Sequence, residues 1–168
     1  MTIKPDHLIE LARTVASASP SRRPRQTNLR RAISDAYYAV FHHLARIVAD
    51  ELIGSSYRTS KAYVLAYRSL DHGLARTVCQ DLAKATPPAK YNSYLPSSGF
   101  CSEITEFCTA FVDLQERRHS ADYDPSERFS IADVEMLVNT ATSAITKLNA
   151  ASPQERRLFV HIISFKLR

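Results

Sequence analysis

The residues best suited to chemistry lie in segment 116–125, whose sequence is Glu-Arg-Arg-His-Ser-Ala-Asp-Tyr-Asp-Pro. This segment closes a predicted amphipathic helix, and at about 100° per residue Arg118 falls on the apolar stripe of that helix. The stripe contains Ile104, Phe107, Cys108, Phe111 and Leu114. Because an unpaired charge in apolar surroundings costs several kcal/mol, we expect Arg118 to meet a negatively charged group.

Two interpretations of Arg118 follow from this position. In the first, Arg118 forms a structural ion pair with a carboxylate of the chain, and the candidates are Asp35, Asp113 and Asp122. In the second, the planar guanidinium binds a phosphodiester through paired hydrogen bonds. Such a site would be completed by His119, Tyr123 and the polar flank of a preceding long helix, which carries Asp35, Tyr38 and His42.

The histidines of that long helix have two different predicted positions. His42 shares a flank with Asp35 and Tyr38, where a histidine is more often a structural hydrogen-bond donor than a catalyst. His43 is predicted to face outward. The sequence contains no glycine-rich phosphate loop and no histidine spacing typical of a metal-binding helix, so neither a cofactor nor a metal is expected.

A basic segment supplies the densest positive charge in a chain whose net charge is +5. It consists of Arg22, Arg23, Arg25, Arg30 and Arg31. This patch is either a solvated loop or an electrostatic surface for RNA or DNA, with Tyr57, Tyr63 and Tyr67 as candidate stacking surfaces elsewhere.

The elements that must position these residues are all helical. The helical period recurs along the chain and no segment alternates convincingly as a strand, so we predict an all-α protein with one domain, residues 1–168. The expected architecture is an antiparallel four- to five-helix bundle over about residues 5–150, with an additional C-terminal helix over 153–166. The first helix is predicted to start near Pro5 and to bury Leu8, Leu11, Ala12 and Val15.

The second helix has the strongest pattern in the chain. It is predicted to begin at a cap formed by Thr27 or Asn28 and to run to about Leu52. Its predicted buried face is Leu29, Ala32, Ile33, Ala36, Tyr37, Val40, Phe41, Leu44, Ile47 and Val48.

The later helices are predicted largely from their start signals. A helix is expected over about 70–84, and a long connection over 86–99 leads to the helix that carries Arg118. Ser130 is predicted to cap the next helix with Asp133, and Ser152 to cap the last one, with Pro153 in its first turn.

Composition bears on the compartment of the protein. The three cysteines, Cys79, Cys101 and Cys108, lack paired metal-ligand spacing and are interpreted as core thiols in a reducing environment. No apolar run approaches the length of about 18 residues that a membrane span needs, and no signal pattern opens the chain. We therefore expect a cytoplasmic protein that does not enter a membrane.

Two segments together resemble the HEPN superfamily (higher eukaryotes and prokaryotes nucleotide-binding). Residues 31–42 are similar to its tyrosine-rich second helix, and residues 118–123 are similar to its signature of arginine, a polar residue, three further residues and histidine. In this chain Arg118 and His119 match the signature, whereas Tyr123 stands where the family carries its terminal histidine. A phenol is a poor base at neutral pH but donates hydrogen bonds.

The resemblance implies a helical bundle that forms a homodimer and brings two arginine motifs together. It further implies a metal-independent endoribonuclease of the toxin or phage-defence type, in which arginine binds the scissile phosphate and histidine assists attack by the ribose 2′-hydroxyl. A nucleotidyltransferase-type antitoxin is the implied protein partner. The alternative is a catalytically inactive HEPN interaction module with a structural arginine motif, and a weaker third hypothesis makes Tyr123 the acceptor of a modifying group.

Overall fold

The computed structural model describes residues 3–17 and 25–166, and within these ranges it contains seven α-helices and no strand. Short 3₁₀ turns at Ser55–Tyr57 and Ala89–Tyr91 interrupt the connections. The helices are α1 (Pro5–Ser17), α2 (Gln26–Leu52), α3 (Lys61–Arg68), α4 (His72–Leu82), α5 (Ser102–Tyr123), α6 (Ile131–Ala150) and α7 (Pro153–Ser164). The prediction of an all-α helical bundle is confirmed.

Helix α2 is the centre of the bundle and packs against α1, α5 and α6. The N-terminal end of α2 contacts the C-terminal end of α5. There Arg30 Nη1 donates a 2.7 Å hydrogen bond to the carbonyl oxygen of Ala121. Its C-terminal half meets the C-terminal end of α6, where His43 Nε2 lies 3.0 Å from Asn149 Oδ1. Helices α2 and α5 are therefore antiparallel, and α6 runs in the same direction as α2.

Several local signals led to correct predictions. All ten residues predicted for the buried face of α2 are buried. Ser130 and Asp133 form a reciprocal capping box, and the Ser152 side chain accepts a hydrogen bond from the backbone N–H of Glu155. These signals act within one helix, which is why sequence alone reveals them.

Three local predictions were wrong. Helix α1 starts at Pro5 and buries Ala12 as predicted, but Leu11 is 40% exposed. The buried face also contains Ile9 and Ala16, because the face that meets α2 is rotated from the leucine stripe. Helix α2 begins at Gln26 after Arg25, and the Gln26 side chain bonds the backbone of Phe129 instead of a cap of its own helix.

The third error concerns His43, which is buried rather than outward. Helices α1 and α6 pack on α2 as well as α5, so a residue outside the main apolar stripe still lies in the interior. Its Nε2 faces Asn149, and its Nδ1 lies 3.1 Å from Arg46 Nη2. Burial, reinforced by the charge of Arg46, lowers the pKa of His43 to about 4, so the ring is neutral at pH 7.

The seam between α4 and α5 supports the candidate site and contains two thiols. Cys79 of α4 and Cys108 of α5 are buried, and burial, together with the neighbouring Cys108 thiol, raises the pKa of the Cys79 thiol. Cys101 is only half-buried at the start of α5. No helix in the described ranges combines the length and apolar character that crossing a bilayer requires.

Candidate functional site

Arg118 lies in the last turns of α5, and its side chain is 23% exposed. Its Nη2 donates a 2.7 Å hydrogen bond to the Tyr38 hydroxyl of α2. Its Nε lies 2.8 Å from Asp122 Oδ2, but the N–H is not aligned for a hydrogen bond, so this contact is electrostatic. Of the three carboxylates that the sequence offers as partners, Asp122 is therefore the one that pairs with Arg118.

The other two carboxylates have different partners. Asp35 is 1% exposed and lies 3.0 Å from Nε of Arg31, one turn away on α2. Burial, only partly offset by Arg31, raises the pKa of the Asp35 carboxyl. Asp113 lies 4.0 Å from Arg117 on the solvent side of α5.

Helix α2 also holds Asp122 in place. The Ser34 hydroxyl donates to Asp122 Oδ1 at 2.5 Å, which leaves Oδ2 for Arg118. Serine, aspartate, arginine and Tyr38 thus form one chain of polar contacts across the α2–α5 seam, and this chain fixes the direction of the guanidinium.

Two aromatic rings flank the guanidinium. Arg118 Cζ lies 5.4 Å from the ring centre of Tyr38 and 5.6 Å from that of Tyr123, within the range of cation–π attraction. Tyr123 is 64% exposed, and its ring centre lies 4.9 Å from that of His119, which is also exposed. The structure therefore places all three residues of the predicted motif around one surface.

A cleft of about 410 Å³ opens beside this surface between α4 and α5. Its lining consists of Arg76, Gln115, Glu116, Arg118, His119 and Ser120. Arg76 and Glu116 form a 2.6 Å ion pair at the cleft. Within the part of the chain that the structure describes, Nη1 of Arg118 has no protein partner, so its two N–H groups are open to a ligand.

Two tyrosine–histidine pairs extend the site along α2. His42 Nδ1 and the Tyr67 hydroxyl are 2.7 Å apart, and the same distance joins His72 Nδ1 to the Tyr37 hydroxyl. Burial lowers the pKa of both histidines; the charge of Arg118 lowers that of His72 further. Both imidazoles are therefore neutral at pH 7.

The predicted basic patch divides into different environments. Arg30 donates to the carbonyls of Ala121, Asp124 and Glu127 at 2.7–2.8 Å, so it satisfies the end of α5 and is not a free cation. Arg25 is exposed, and the Arg31 side chain is 65% exposed although it pairs with Asp35.

Arg22 and Arg23 lie outside the described residues. The three tyrosines proposed as stacking surfaces differ as well. Tyr63 is fully buried and donates to Asp50, so it cannot stack on a ligand, whereas Tyr57 is 61% exposed. Tyr67 is half-buried and paired with His42.

Sequence reasoning missed Ser34 and His72, and it assigned Tyr67 to a stacking surface elsewhere instead of to this site. Each contacts a partner at least 25 positions away, so no helical period could reveal it. One signal was available for His72, since Asp71 is a strong helix cap and His72 therefore opens a helix.

Comparisons of the chain with protein-family models, curated proteins and solved structures found no match. Within residues 3–17 and 25–166, no group of three or more His, Cys, Asp or Glu side chains is placed to hold a metal ion.

Proposed function

We propose that this chain is a HEPN-like, RNA-associated protein that acts as a metal-independent endoribonuclease in a homodimer. One observation carries the proposal: Tyr38 and Asp122 hold the Arg118 guanidinium at a cleft, and no described residue pairs with its Nη1. A fixed planar guanidinium with free N–H groups suits the oxygens of a phosphodiester. Asp35, Asp122, Tyr38 and His42 support the site, and Arg25 and Arg31 extend its positive charge.

The proposed reaction is transesterification within the RNA strand. Arg118 binds a non-bridging phosphate oxygen, and His119 takes the proton of the ribose 2′-hydroxyl as its oxygen bonds to phosphorus. The bond to the 5′-oxygen breaks, and the Tyr123 hydroxyl supplies the proton to that leaving group. Solvent returns the proton from His119 to Tyr123. The products are a 2′,3′-cyclic phosphate and a 5′-hydroxyl end, and the atoms balance without a further reactant.

The test compares two adjacent arginines of α5 in cleavage of single-stranded RNA with EDTA present. Arg118→Ala is expected to abolish cleavage, because it removes the phosphate ligand. Arg117→Ala is the matched control: it removes the same charge from a side chain that makes only long contacts to Asp113 and Glu127. Cleavage that survives in Arg118→Ala, or that Arg117→Ala loses equally, contradicts the proposed site.

A second candidate function is a catalytically inactive HEPN interaction module. The observation in its favour is the ion pair between Arg118 and Asp122, since a neutralised arginine can serve structure alone. This alternative predicts that wild-type protein leaves RNA intact and that Arg118→Ala lowers the melting temperature markedly.

Dimerisation and the partner rest on the resemblance to HEPN proteins. We infer a cytoplasmic homodimer in which two Arg118 sites face each other, of the toxin or phage-defence type, with a nucleotidyltransferase-type antitoxin as partner. Light scattering after size-exclusion chromatography measures the mass of the particle. A mass of one chain, 18.9 kDa, at micromolar concentration contradicts the dimer.

A further inference from the structure

His72 is the residue of the site that the proposed reaction leaves without a role. It opens α4 but packs on α2: its ring lies flat on Phe41, with ring centres 3.6 Å apart and planes 10° apart. Its backbone carbonyl accepts a hydrogen bond from Gln115 Nε2, one turn before Arg118 on α5. Its ring also meets the Tyr38 ring edge-on at 6.3 Å. His72 is therefore fixed by three helices, and it shares Tyr38 with Arg118.

The hydrogen bond at Nδ1 determines which ring nitrogen carries the proton. Tyr37 is fully buried, and within the described part of the chain His72 Nδ1 is the one recorded partner of its hydroxyl. Burial raises the pKa of the Tyr37 phenol, so the hydroxyl keeps its proton. A buried hydroxyl hydrogen needs an acceptor, and Nδ1 of His72, 2.7 Å away, supplies it. A neutral imidazole that accepts at Nδ1 carries its own proton on Nε2.

The Nε2–H group has no partner among the described residues, and His72 is covered on one side of its ring but reaches the surface. The charged groups that act on the ring are Arg118 and Asp71, and burial and Arg118 favour the neutral form. His72 and Arg118 both contact Tyr38, and among the described residues each has a donor without a partner; such donors suit a negatively charged oxygen.

We propose that His72, as a neutral Nε2–H donor, gives the phosphate group bound by Arg118 its second protein hydrogen bond. This inference rests on the proposed function, because the phosphate is that of the RNA strand. His72 then acts as a binding and electrostatic group, whereas the proton transfers remain with His119 and Tyr123. His72 lies on α4, the helix before the one that carries the motif, so a signature confined to residues 118–123 does not contain it.

The first experiment uses variants that separate a donor from an acid–base group. Gln places an N–H close to the position of Nε2 but does not titrate near neutral pH, whereas Leu has no donor. With a 2′-O-methyl oligouridylate, which cannot be cleaved, His72→Leu is expected to weaken binding about tenfold to a hundredfold and His72→Gln by no more than about threefold. His161→Leu, at an exposed histidine of α7, is the matched control and should bind like the wild type.

The second experiment observes the imidazole directly and does not depend on any variant folding. Nitrogen-15 NMR of the wild-type protein at pH 7 should show His72 neutral with its proton on Nε2, and inorganic phosphate should shift that signal. A proton on Nδ1, a charged ring, or wild-type affinity in His72→Leu overturns the inference.

The two proposals can fail separately. If RNA is cleaved in an Arg118-dependent manner but the oligonucleotide does not shift the nitrogen-15 signal of His72, the proposed role of His72 is wrong and the proposed function stands. If phosphate shifts the His72 signal but the oligonucleotide neither binds nor is cleaved, the anion site stands and the RNA function fails. If neither probe binds, both proposals are wrong.

Discussion

Helix α2 carries two polar clusters, and they differ in whether their donors are used. In the C-terminal half, His43 has a partner at each ring nitrogen, and Asp50 accepts hydrogen bonds from Arg58 and Tyr63. In the N-terminal half, Arg118 of α5 contacts the helix at a cleft, and one of its amino groups has no partner in residues 3–17 and 25–166. We call these the closed cluster and the open cluster.

The comparison shows how similar residue types divide between structure and function. A buried polar group is tolerated when its partners are supplied within the chain, and the closed cluster meets that condition. The open cluster keeps donors exposed and fixed, which stabilises the fold little but prepares the site for an anion. Mutations should therefore affect folding in the first cluster and ligand chemistry in the second.

The largest expected effect on the free energy of unfolding is the pH dependence due to His43. The unfolded chain binds a proton on this ring near pH 6.5, whereas the folded chain binds it only near pH 4. The contribution is therefore intact above pH 6.5 and is lost as the pH falls, by roughly 3 kcal/mol on reaching pH 4. Urea unfolding across this range measures it, and His43→Gln should flatten the dependence. An equal slope in both proteins rules out the buried neutral ring.

Asp50→Ala is expected to lower the free energy of unfolding by about 2 kcal/mol, because the hydroxyl of buried Tyr63 loses its acceptor. The matched variant in the open cluster, Asp122→Ala, should cost about 1 kcal/mol or less. Ser34, which donates to Asp122, has a second acceptor in the Arg30 carbonyl, and water can solvate the half-exposed arginine. Urea unfolding midpoints at pH 7 compare Asp50→Ala with Asp122→Ala. An equal decrease in the free energy of unfolding would contradict the distinction between the closed and the open cluster.

Arg118→Ala should lower the free energy of unfolding by about 1 kcal/mol or less, because its ion pair with Asp122 is partly exposed on both sides. The same variant should lose RNA cleavage. A loss of stability above about 3 kcal/mol, measured by urea unfolding, instead favours the inactive-module alternative.

The smallest expected effect on folding is that of Tyr123→Phe, within about 0.5 kcal/mol of wild type, because Tyr123 is 64% exposed. Its effect on catalysis should be large: loss of the proton donor slows cleavage about a hundredfold or more. Single-turnover cleavage rates measure this, and a rate equal to wild type removes Tyr123 from the proton transfer.

Sequence predicted those parts of the fold that depend on neighbours along the chain. The face of α2 and the caps at Ser130 and Ser152 follow from spacing within one helix. The sequence did not reveal which face of α1 is buried or that His43 is buried, because both depend on which other helices surround α2. A histidine outside the apolar stripe carries no mark that another helix covers it.

The candidate site was predictable in its centre and not in its surroundings. Arg118 was visible because a cation on an apolar stripe breaks the pattern of its own helix. The role of Arg30 could not be predicted, because an arginine that binds backbone carbonyls looks like any other basic residue in sequence. The position of His72 could not be predicted either. The pairing of His72 with Tyr37 joins residues 35 positions apart, and it depends on where the packing of α4 against α5 places the first residue of α4.

The buried thiols of Cys79 and Cys108 make the separation of α4 from α5 measurable by chemical labelling. A thiol reagent can reach them only when those two helices separate. The rate of their alkylation therefore measures how often α4 and α5, which line the cleft, move apart. Cys101, whose pKa burial raises to about 11, should label slowly and independently of that opening. A ligand bound between α4 and α5 would hold the two helices together and lengthen the labelling half-life of Cys79 and Cys108. Mass spectrometry of the labelled protein would then measure ligand binding in the cleft even where no turnover is detected.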